Sequence, residues 1–564
     1  PTVGGEVYFE AAYEQNCLVN AMCVGIAPRE RLIRSAAAGV GNSLVLLGAR
    51  TGRDGIGGAS VLASAELSAD DSSKRPTVQI GDPFEESKLV ECCLELLDRE
   101  LLASLQDLGA AGLSSSSSEM ASKGEVGLDI DVSRVPLREA DMEPFEVMVS
   151  ESQERMLCVV EPERLDDVLA LCERWDVRAT TIGEVTDSRR LRVFDGEELV
   201  GDMPVEALVD DVPLYDLEPE EPEGAIYPDP PARLADGGPA GDALLALLAS
   251  PNIASKRFVF EQYDPIVGSR TIRRPQSADA AVLVLEPDGG SGALAISIDG
   301  NGRRVACDPY TGAAEAVLEC ARNLACVGAE PLGLTNCLNF GNPEKPHIAW
   351  QLTRAVEGLR DACLALGVPV VGGNVSLYNE GAEGPIYPSP IVGMVGKLPE
   401  PDAVPRTGFA EEGHAIALVG MFEPALDGSE LEKLRGRLGD SLPPLDLPAH
   451  ADALVRVRAA VRGGKLPTAH DVSEGGLACA LAECCIEGGI GAHVRLDEGE
   501  AALFGEGPGG VVVAGPRAVI EELDGAIGIG EVGGEALEIE GALSVPVSEL
   551  RDVYEGAIPA ALAG

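Results

Sequence analysis

The chain is short of positive charge. Its 564 residues carry 43 Lys and Arg against 93 Asp and Glu, a net charge of −50. Nucleic acids and anionic membranes are bound through clustered Lys and Arg, so both are poor partners for this chain. A phosphate-rich ligand would need local neutralisation, by metal ions, helix N-termini and a few placed Arg. The rest of the acidity reads as a solvated surface. No apolar run approaches the roughly 18–20 residues that span a bilayer. No signal peptide is visible, although the first residue is Pro1 rather than Met. The 14 Cys include no CxxC pair. Cys92-Cys93 and Cys484-Cys485 are adjacent, a poor geometry for a metal site or an ordinary disulfide. Cys320, Cys479 and Cys484 lie in apolar helical patterns and read as small buried hydrophobes. A reducing cytoplasm is the simplest compartment. The five His (His347, His414, His450, His470, His493) show no ligand spacing. The glycine-rich stretch Gly48 to Gly58 lacks GxxxxGK(S/T) and does not give a clean GxGxxG, and the chain shows no nucleophile elbow and no Cys/His pair. That leaves no support for a P-loop, a Rossmann site, a Ser or Cys hydrolase, or a zinc site.

What the chain does have is a repeat. Pro1-Thr2-Val3-Gly4-Gly5-Glu6-Val7 returns as Pro369-Val370-Val371-Gly372-Gly373-Asn374-Val375. Gln106-Asp107-Leu108, with Gly112-Leu113 and Glu119, returns as His470-Asp471-Val472, with Gly476-Leu477 and Glu483. Two motifs that keep nearly the same spacing point to a duplication. The length suits about four domains of roughly 150 residues. Read as partial A, B, linker, A, B, they run 1–35, 36–205, 206–252, 253–408 and 409–564. A long structured-looking stretch precedes Pro369 and nothing precedes Pro1, so the first A domain is expected to lack its opening segment. Leu18 to Ile26 and Pro390 to Gly396 read as matching apolar strands that close a sheet, and Ser43 to Gly48 as a buried strand. Arg164 to Arg174 reads as a helix. Asp216 to Ala240, rich in Pro, Glu, Asp and Gly, is the best linker, followed by a short helix near Leu244. The run Ser114–Ser118 looks like a flexible linker on its own. It aligns with Ala478-Cys479-Ala480-Leu481-Ala482, a strong helix former, and is therefore expected in a tightly packed helix.

Asp107 and Asp471 each stand before a glycine-bearing turn into a helix. A carboxylate there either caps the helix or holds Mg²⁺ against a phosphate. Glu319 and Asn323, spaced i, i+4, share a helical face, with Cys320, Ala321 and Arg322 pointing elsewhere; with Asp279 they form an oxygen-ligand set that suits Mg²⁺. An exposed polar helix face explains the same spacing. The glycine-rich stretch Gly48 to Gly58 follows a strand and reads either as a phosphate-approaching loop or as a tight turn. Val371 to Ser376 is a second strand-then-glycine signal. Glu151-Ser152-Gln153-Glu154-Arg155 is a dense polar cluster suited to a ribose phosphate or an amide, or else a surface loop. Gln79, at the end of a strand, could contact a ligand.

Together these stretches, with Gly48 to Gly55, Ser150 to Arg155, Leu338-Asn339-Phe340-Gly341-Asn342-Pro343-Glu344 and His470 to Gly476, resemble a known family. It is the synthetase subunit of phosphoribosylformylglycinamidine synthase, the small-type PurL, in the aminoimidazole ribonucleotide synthetase-like superfamily. The resemblance covers essentially the whole chain. It implies an α/β fold, a tandem pseudo-dimer of A–B units with the first A domain truncated. It also implies an ATP-dependent ligase of purine biosynthesis with ATP and Mg²⁺. ATP phosphorylates the amide oxygen of formylglycinamide ribonucleotide, and ammonia displaces phosphate. Expected partners are a glutaminase subunit and a small bridging subunit. By motif match, Asp107 resembles a metal ligand. Gln79, Glu151, Ser152, Gln153 and Ser376 resemble substrate contacts. Gly373 and Asn336 resemble nucleotide contacts, although many relatives have Asp where Asn336 stands. Asn374 resembles a metal contact. Asp279, Glu319, Asn323 and Asp471, with Ser473 as a nucleotide contact, resemble an auxiliary nucleotide–Mg²⁺ site of the larger forms. The family's catalytic His, a nucleotide-binding Lys and further Mg²⁺ ligands are expected upstream of Pro1, which implies that this stretch alone is inactive. Two other readings stay open: a non-catalytic module of the same fold, and a related synthetase that acts through a phosphorylated intermediate.

Overall fold

Both halves of the repeat build the same sheet. The computed structural model describes residues 1–56, 79–214, 216–286 and 292–563. The chain divides into two units, one of Cys23–Asp216 and one of Pro1–Met22 with Leu217–Gly564. The unit Cys23–Asp216 holds strands β1 (Ser43–Gly48), β2 (Ser104–Asp107), β3 (Gly127–Asp131), β4 (Arg155–Val160), β5 (Ala179–Thr186), β6 (Arg190–Asp195) and β7 (Glu198–Pro204). They form one sheet in the order β2-β4-β1-β5-β3-β6-β7. Strand β1 is apolar throughout because both its faces are covered. Val45 and Leu47 pack with Leu89 and Cys92 of helix Pro83–Asp98 and with Leu171 of helix Leu165–Arg174. Leu44 and Leu46 face the other way, toward Leu113 and Met120 of helix Gly112–Gly124.

The larger unit carries β8 (Thr271–Arg273), β9 (Ala281–Val284), β10 (Ala293–Asp299), β11 (Glu330–Asn339), β12 (Val370–Ser376), β13 (Glu380–Gly381), β14 (Gly384–Pro385) and β15 (Ser389–Leu398). Six of these form a sheet ordered β12-β11-β15-β10-β9-β8, while β13 and β14 make a small hairpin. Strands β11 and β12 are parallel, joined by the crossover helix Pro346–Leu366. Then follow β16 (Ala415–Gly420), β17 (Thr468–Asp471), β18 (Ala492–Val494), β19 (Gly510–Gly515), β20 (Ile527–Val532), β21 (Ala536–Ile539) and β22 (Leu543–Pro546), ordered β17-β19-β16-β20-β18-β21-β22. This is the first sheet's order again, with β18 parallel to β21 as β3 is to β6. Even the register shift recurs, between Leu44 and Val45 in one copy and Ile416 and Ala417 in the other. Helix Pro309–Cys326, capped by Asp308, packs its Ala and Val residues into one core with Val392 and Met394 of β15 and Val511 and Val513 of β19. Small side chains let it lie buried between the two sheets of this unit. That burial is what takes Arg322 and Asn323 out of solvent.

The serine run forms the expected helix. Ser116, Ser117 and Ser118 are buried, and their hydroxyls donate to the carbonyls of Gly112, Leu113 and Ser114 four residues back. The expected helix from Arg164 begins at Leu165, after a 3₁₀ turn at Pro162–Arg164. Asp216 to Pro239 has no helix or strand among its described residues, yet it is not loose everywhere. Tyr227 is buried and donates to the Ile386 carbonyl at 2.9 Å, and Arg233 N donates to Leu434 O at 2.7 Å. One expectation fails: Leu18 to Ile26 is not a strand, and Val19 and Ile26 are exposed. A strand needs a partner edge for its backbone groups, and no described strand pairs with this segment. The described residues include no helix long and apolar enough to cross a membrane.

Candidate functional site

In the unit Cys23–Asp216 the polar groups gather at the end of the sheet where β2 finishes and β4 begins. Asp107 is exposed at the last position of β2. Its side chain does not cap the helix that follows, which settles one of its two readings. The N–H of Ala111, just before helix Gly112–Gly124, goes instead to Glu151 Oε1 at 3.0 Å. Gln79 Nε2 donates to Glu151 Oε2 at 2.5 Å. Gln153 Nε2 donates to Gln79 Oε1 and to the Glu151 carbonyl, each at 2.9 Å. Gln79, Glu151 and Gln153 therefore form one cluster, with amide donors and acceptors that a ligand rich in hydroxyls or amides could replace. Ser152 is buried beneath it. Its hydroxyl accepts from Gly52 N at 2.9 Å and donates to Asp54, which Arg138 grips through both carboxylate oxygens at 2.7 and 2.8 Å.

The glycine-rich stretch behaves as a tight turn. Thr51 N, Gly52 N and Arg53 N are taken by Pro136 O, Ser152 Oγ and Glu139 Oε1, so these amides do not face a phosphate. At Gly48, φ is +101° and a Cβ would collide with the Glu154 carbonyl, so only glycine fits. Gly57 and Gly58 lie outside the described residues.

The second copy places Asp471 at the end of β17 and Glu506 just before β19. Gly475 N donates to Glu506 Oε1 at 2.8 Å, as Ala111 N does to Glu151. Sheet register makes these positions equivalent, since Gly48 pairs with Arg155 and Gly420 with Gly510. Glu151 thus matches Glu506, and Arg155 matches Gly510. Beyond that, the copies differ. Asp471 is buried and accepts from Arg322 Nε at 3.0 Å and Nη2 at 2.8 Å; the same Nη2 lies 3.2 Å from Glu319 Oε1. Arg322 does not point elsewhere, contrary to the expectation from spacing. It lies i, i+3 from Glu319 and so shares that face. Asp279 is held by His470 Nδ1 at 2.8 Å and by Asp471 N at 2.8 Å, and His470 also reaches Glu483 at 3.1 Å. Asp279, His470 and Asp471 bring one ligand atom each within 4.8 Å of one another. Spacing along the chain offers His470 no partners; tertiary contact supplies them. Asn323 donates to Asp299 at 3.0 Å, and its Oδ1 is buried without a partner.

Of these groups, Glu319, Arg322 and Glu506 line a cleft together with Asn301, Arg304, Ser473 and Glu474. Burial pushes the Glu319 carboxyl well up, and neighbouring Glu474 adds to the shift. Burial pushes Asp471 up to about 6 against the pull of Arg322, and Glu506 to about 7 against Arg303 and Arg304. Sequence reading missed Asp299, Glu474, Glu506, Arg304 and Glu6. Burial raises the Glu6 carboxyl, as do Asp299 and Glu474. Glu6 had a signal, for it is the repeat's counterpart of Asn374. Glu506 had only the strand register, which needs the fold.

Asn336, Gly373, Asn374 and Ser376 belong to the larger unit, not to the one with Gln79 and Glu151. Asn336 on β11 pairs with Gly373 on β12, and a Cβ at Gly373 would stand 2.8 Å from Asn336 O. Asn374 is exposed with its amide 3.4 Å from Cys337 Sγ, and Ser376 Oγ accepts from Asn379 Nδ2 at 3.0 Å.

Residues 39–196 and 411–538 match the model of the AIR synthase related protein C-terminal domain, and residues 277–398 match that of its N-terminal domain. The two C-terminal matches fall on the two like sheets. Phosphoribosylformylglycinamidine synthase subunit PurL of Anaeromyxobacter sp. (strain Fw109-5) is 46% identical over 100% of this chain and 76% of its own length. The subunit of the same name from Moorella thermoacetica is 46% identical over 96% of the chain and 75% of its own length. Thermotoga maritima PurL complexed with FGAR is similar with a TM-score of 0.68 and 29% identity, over 90% of this chain and 74% of that one. The same organism's PurLQS structure has a TM-score of 0.65 at 29% identity, over 90% of this chain and 74% of that one.

Proposed function

The chain belongs to the PurL family of phosphoribosylformylglycinamidine synthase subunits, an ATP-dependent ligase of purine biosynthesis, and on that premise we propose which of its residues serve the reaction. The substrate is formylglycinamide ribonucleotide, the compound bound in the Thermotoga maritima relative. ATP, bound in another structure of that protein, phosphorylates the amide oxygen, and ammonia then displaces phosphate to give the amidine. The observation that carries the assignment is the match across the whole chain, together with the cluster of Gln79, Glu151 and Gln153 in the first copy.

In this reading Gln79, Glu151, Ser152, Gln153 and Ser376 contact the substrate. The amide groups of Gln79 and Gln153 would exchange the hydrogen bond between them for ribose hydroxyls and the substrate amide, and so orient the amide for reaction. Asn336, Gly373 and Ser473 contact nucleotide. Asp107 and Asn374 are metal ligands, and Asp279, Glu319, Asn323 and Asp471 are the auxiliary candidates. The donor sets fit a hard cation: they offer mainly oxygen, the Asp107 carboxylate is not used as a cap, and Asn323 Oδ1 is buried without a partner. Mg²⁺ bound there would offset phosphate charge. The partners are a glutaminase subunit that delivers ammonia and a small bridging subunit. The test is ADP release from the complete natural protein with ATP, ammonia and formylglycinamide ribonucleotide. Release that depends on the ribonucleotide is the expected result; release indifferent to it would reject the reading.

A further inference from the structure

We propose that Arg155 is a positioning residue, which holds the backbone of residues 150–152 so that Glu151 and Gln153 face the substrate. The proposal rests on the functional reading above and adds a residue to it. Arg155 is the first residue of β4 and only 3% exposed. Its guanidinium lies under the loop and donates to two backbone carbonyls, Nε to Ser152 O at 2.8 Å and Nη2 to Ser150 O at 2.6 Å. Nη1 donates to Thr51 Oγ1 at 2.9 Å. With the carbonyls of 150 and 152 turned down to the arginine, the intervening Glu151 and the following Gln153 meet Ala111 N and Gln79. A planar fork of fixed geometry suits two carbonyls of one loop in a way a lysine ammonium does not.

The second copy shows that the fold does not need this arginine. Gly510 stands in its place, and β19 still pairs with β16 and β17 as β4 pairs with β1 and β2. The loop before β19 is Glu506-Gly507-Pro508-Gly509, where only the glutamate keeps a functional side chain. The first copy bears two costs that the second avoids. Glu154 holds a left-handed φ of +55°, where its counterpart Gly509 has φ +98° at no side-chain penalty. Arg155 is a buried cation whose Nε, Nη1 and Nη2 donate to two carbonyls and a hydroxyl rather than to a carboxylate. Burial pulls it down to about 10, although nearby Asp54 pulls it up. A strained turn and a buried charge, both dispensable for the sheet, persist where the polar loop is. The arginine therefore serves the loop's shape.

The experiment uses the complete natural protein with Arg155→Lys and Arg155→Gly, the latter installing the second copy's residue. Binding of formylglycinamide ribonucleotide and of ATP is measured separately by calorimetry, with the melting temperature alongside. Without the fork the loop is no longer preorganised, and ribonucleotide binding should weaken about 10- to 100-fold. ATP affinity should stay within about twofold, and added methylguanidinium should restore part of the affinity of Arg155→Gly. In turnover the KM for the ribonucleotide should rise more than kcat falls. Unchanged ribonucleotide affinity in Arg155→Lys would overturn the role. So would a parallel weakening of ATP and ribonucleotide binding with a falling melting temperature, which marks a general structural part. If Arg155→Gly does not fold, Arg155→Lys decides alone. A wild-type protein that binds no ribonucleotide refutes the functional reading instead, and the positioning role with it.

Discussion

Before β4 the chain reads Glu151-Ser152-Gln153-Glu154-Arg155; at the equivalent start of β19 it reads Glu506-Gly507-Pro508-Gly509-Gly510. Both glutamates accept the N–H at the mouth of a helix, so that contact belongs to the fold they share. Everything after the glutamate differs. The first copy has a polar loop with an exposed Asp107 nearby; the second has a bare loop, and Asp471 is closed in by Arg322 and His470. The duplication kept the helix anchor and altered the chemistry around it. A contact made in both copies therefore speaks first of architecture, and surroundings found in one copy alone speak of function.

That contrast can be broken at several places. The largest effect is expected at the paired aspartates. Asp107→Asn should lower kcat/KM for the ribonucleotide about 10³-fold with little change in melting. Asp471→Asn should keep activity within about tenfold but cost about 1–2 kcal/mol of stability, because Arg322 loses one of its two carboxylate partners and keeps only Glu319. Equal falls in activity at both positions would erase the distinction. Next come the shared glycines. At Gly112 an added Cβ would collide with the Ser150 carbonyl, and at Gly476 it would stand 2.6 Å from the Gly505 carbonyl, both at positive φ. Gly112→Ala and Gly476→Ala should each cost about 2–3 kcal/mol in denaturant unfolding, alike in both copies.

A smaller effect sits in the second copy alone. Glu506 has a folded pKa of about 7, above its ordinary 4.5, because of burial. The folded state then binds more protons between those values. Stability is full below about pH 4.5 and declines as pH rises through 7, by about 1–3 kcal/mol. Glu506→Gln should flatten that slope in melts taken from pH 4.5 to 8. The smallest effect tests the serine helix: Ser116→Ala, which installs the residue found at Ala480, should raise stability by less than about 1 kcal/mol.

The repeat was legible because duplicated strands and turns keep their glycines and apolar runs. The serine run shows how far this reaches: five residues of linker composition are assigned to a helix by Ala478–Ala482, and the helix is there with its hydroxyls bonded to its own carbonyls. The repeat failed at Leu18 to Ile26, because a copied pattern forms a strand only where an edge is present to receive its backbone. Helical spacing failed at Arg322, whose partner Asp471 lies far along the chain and is brought near by the buried helix Pro309–Cys326.

By itself, then, the sequence determined the duplication, the α/β class, the family and the residue types at the first copy's loop, since all of these live in local pattern and in motif spacing. Only the tertiary structure decided what each carboxylate does. Glu151 and Glu506 anchor helices, Asp107 stays open, and Asp471 is paired, because burial and the reach of an arginine depend on how helix and sheets pack, and no spacing along the chain encodes that distance.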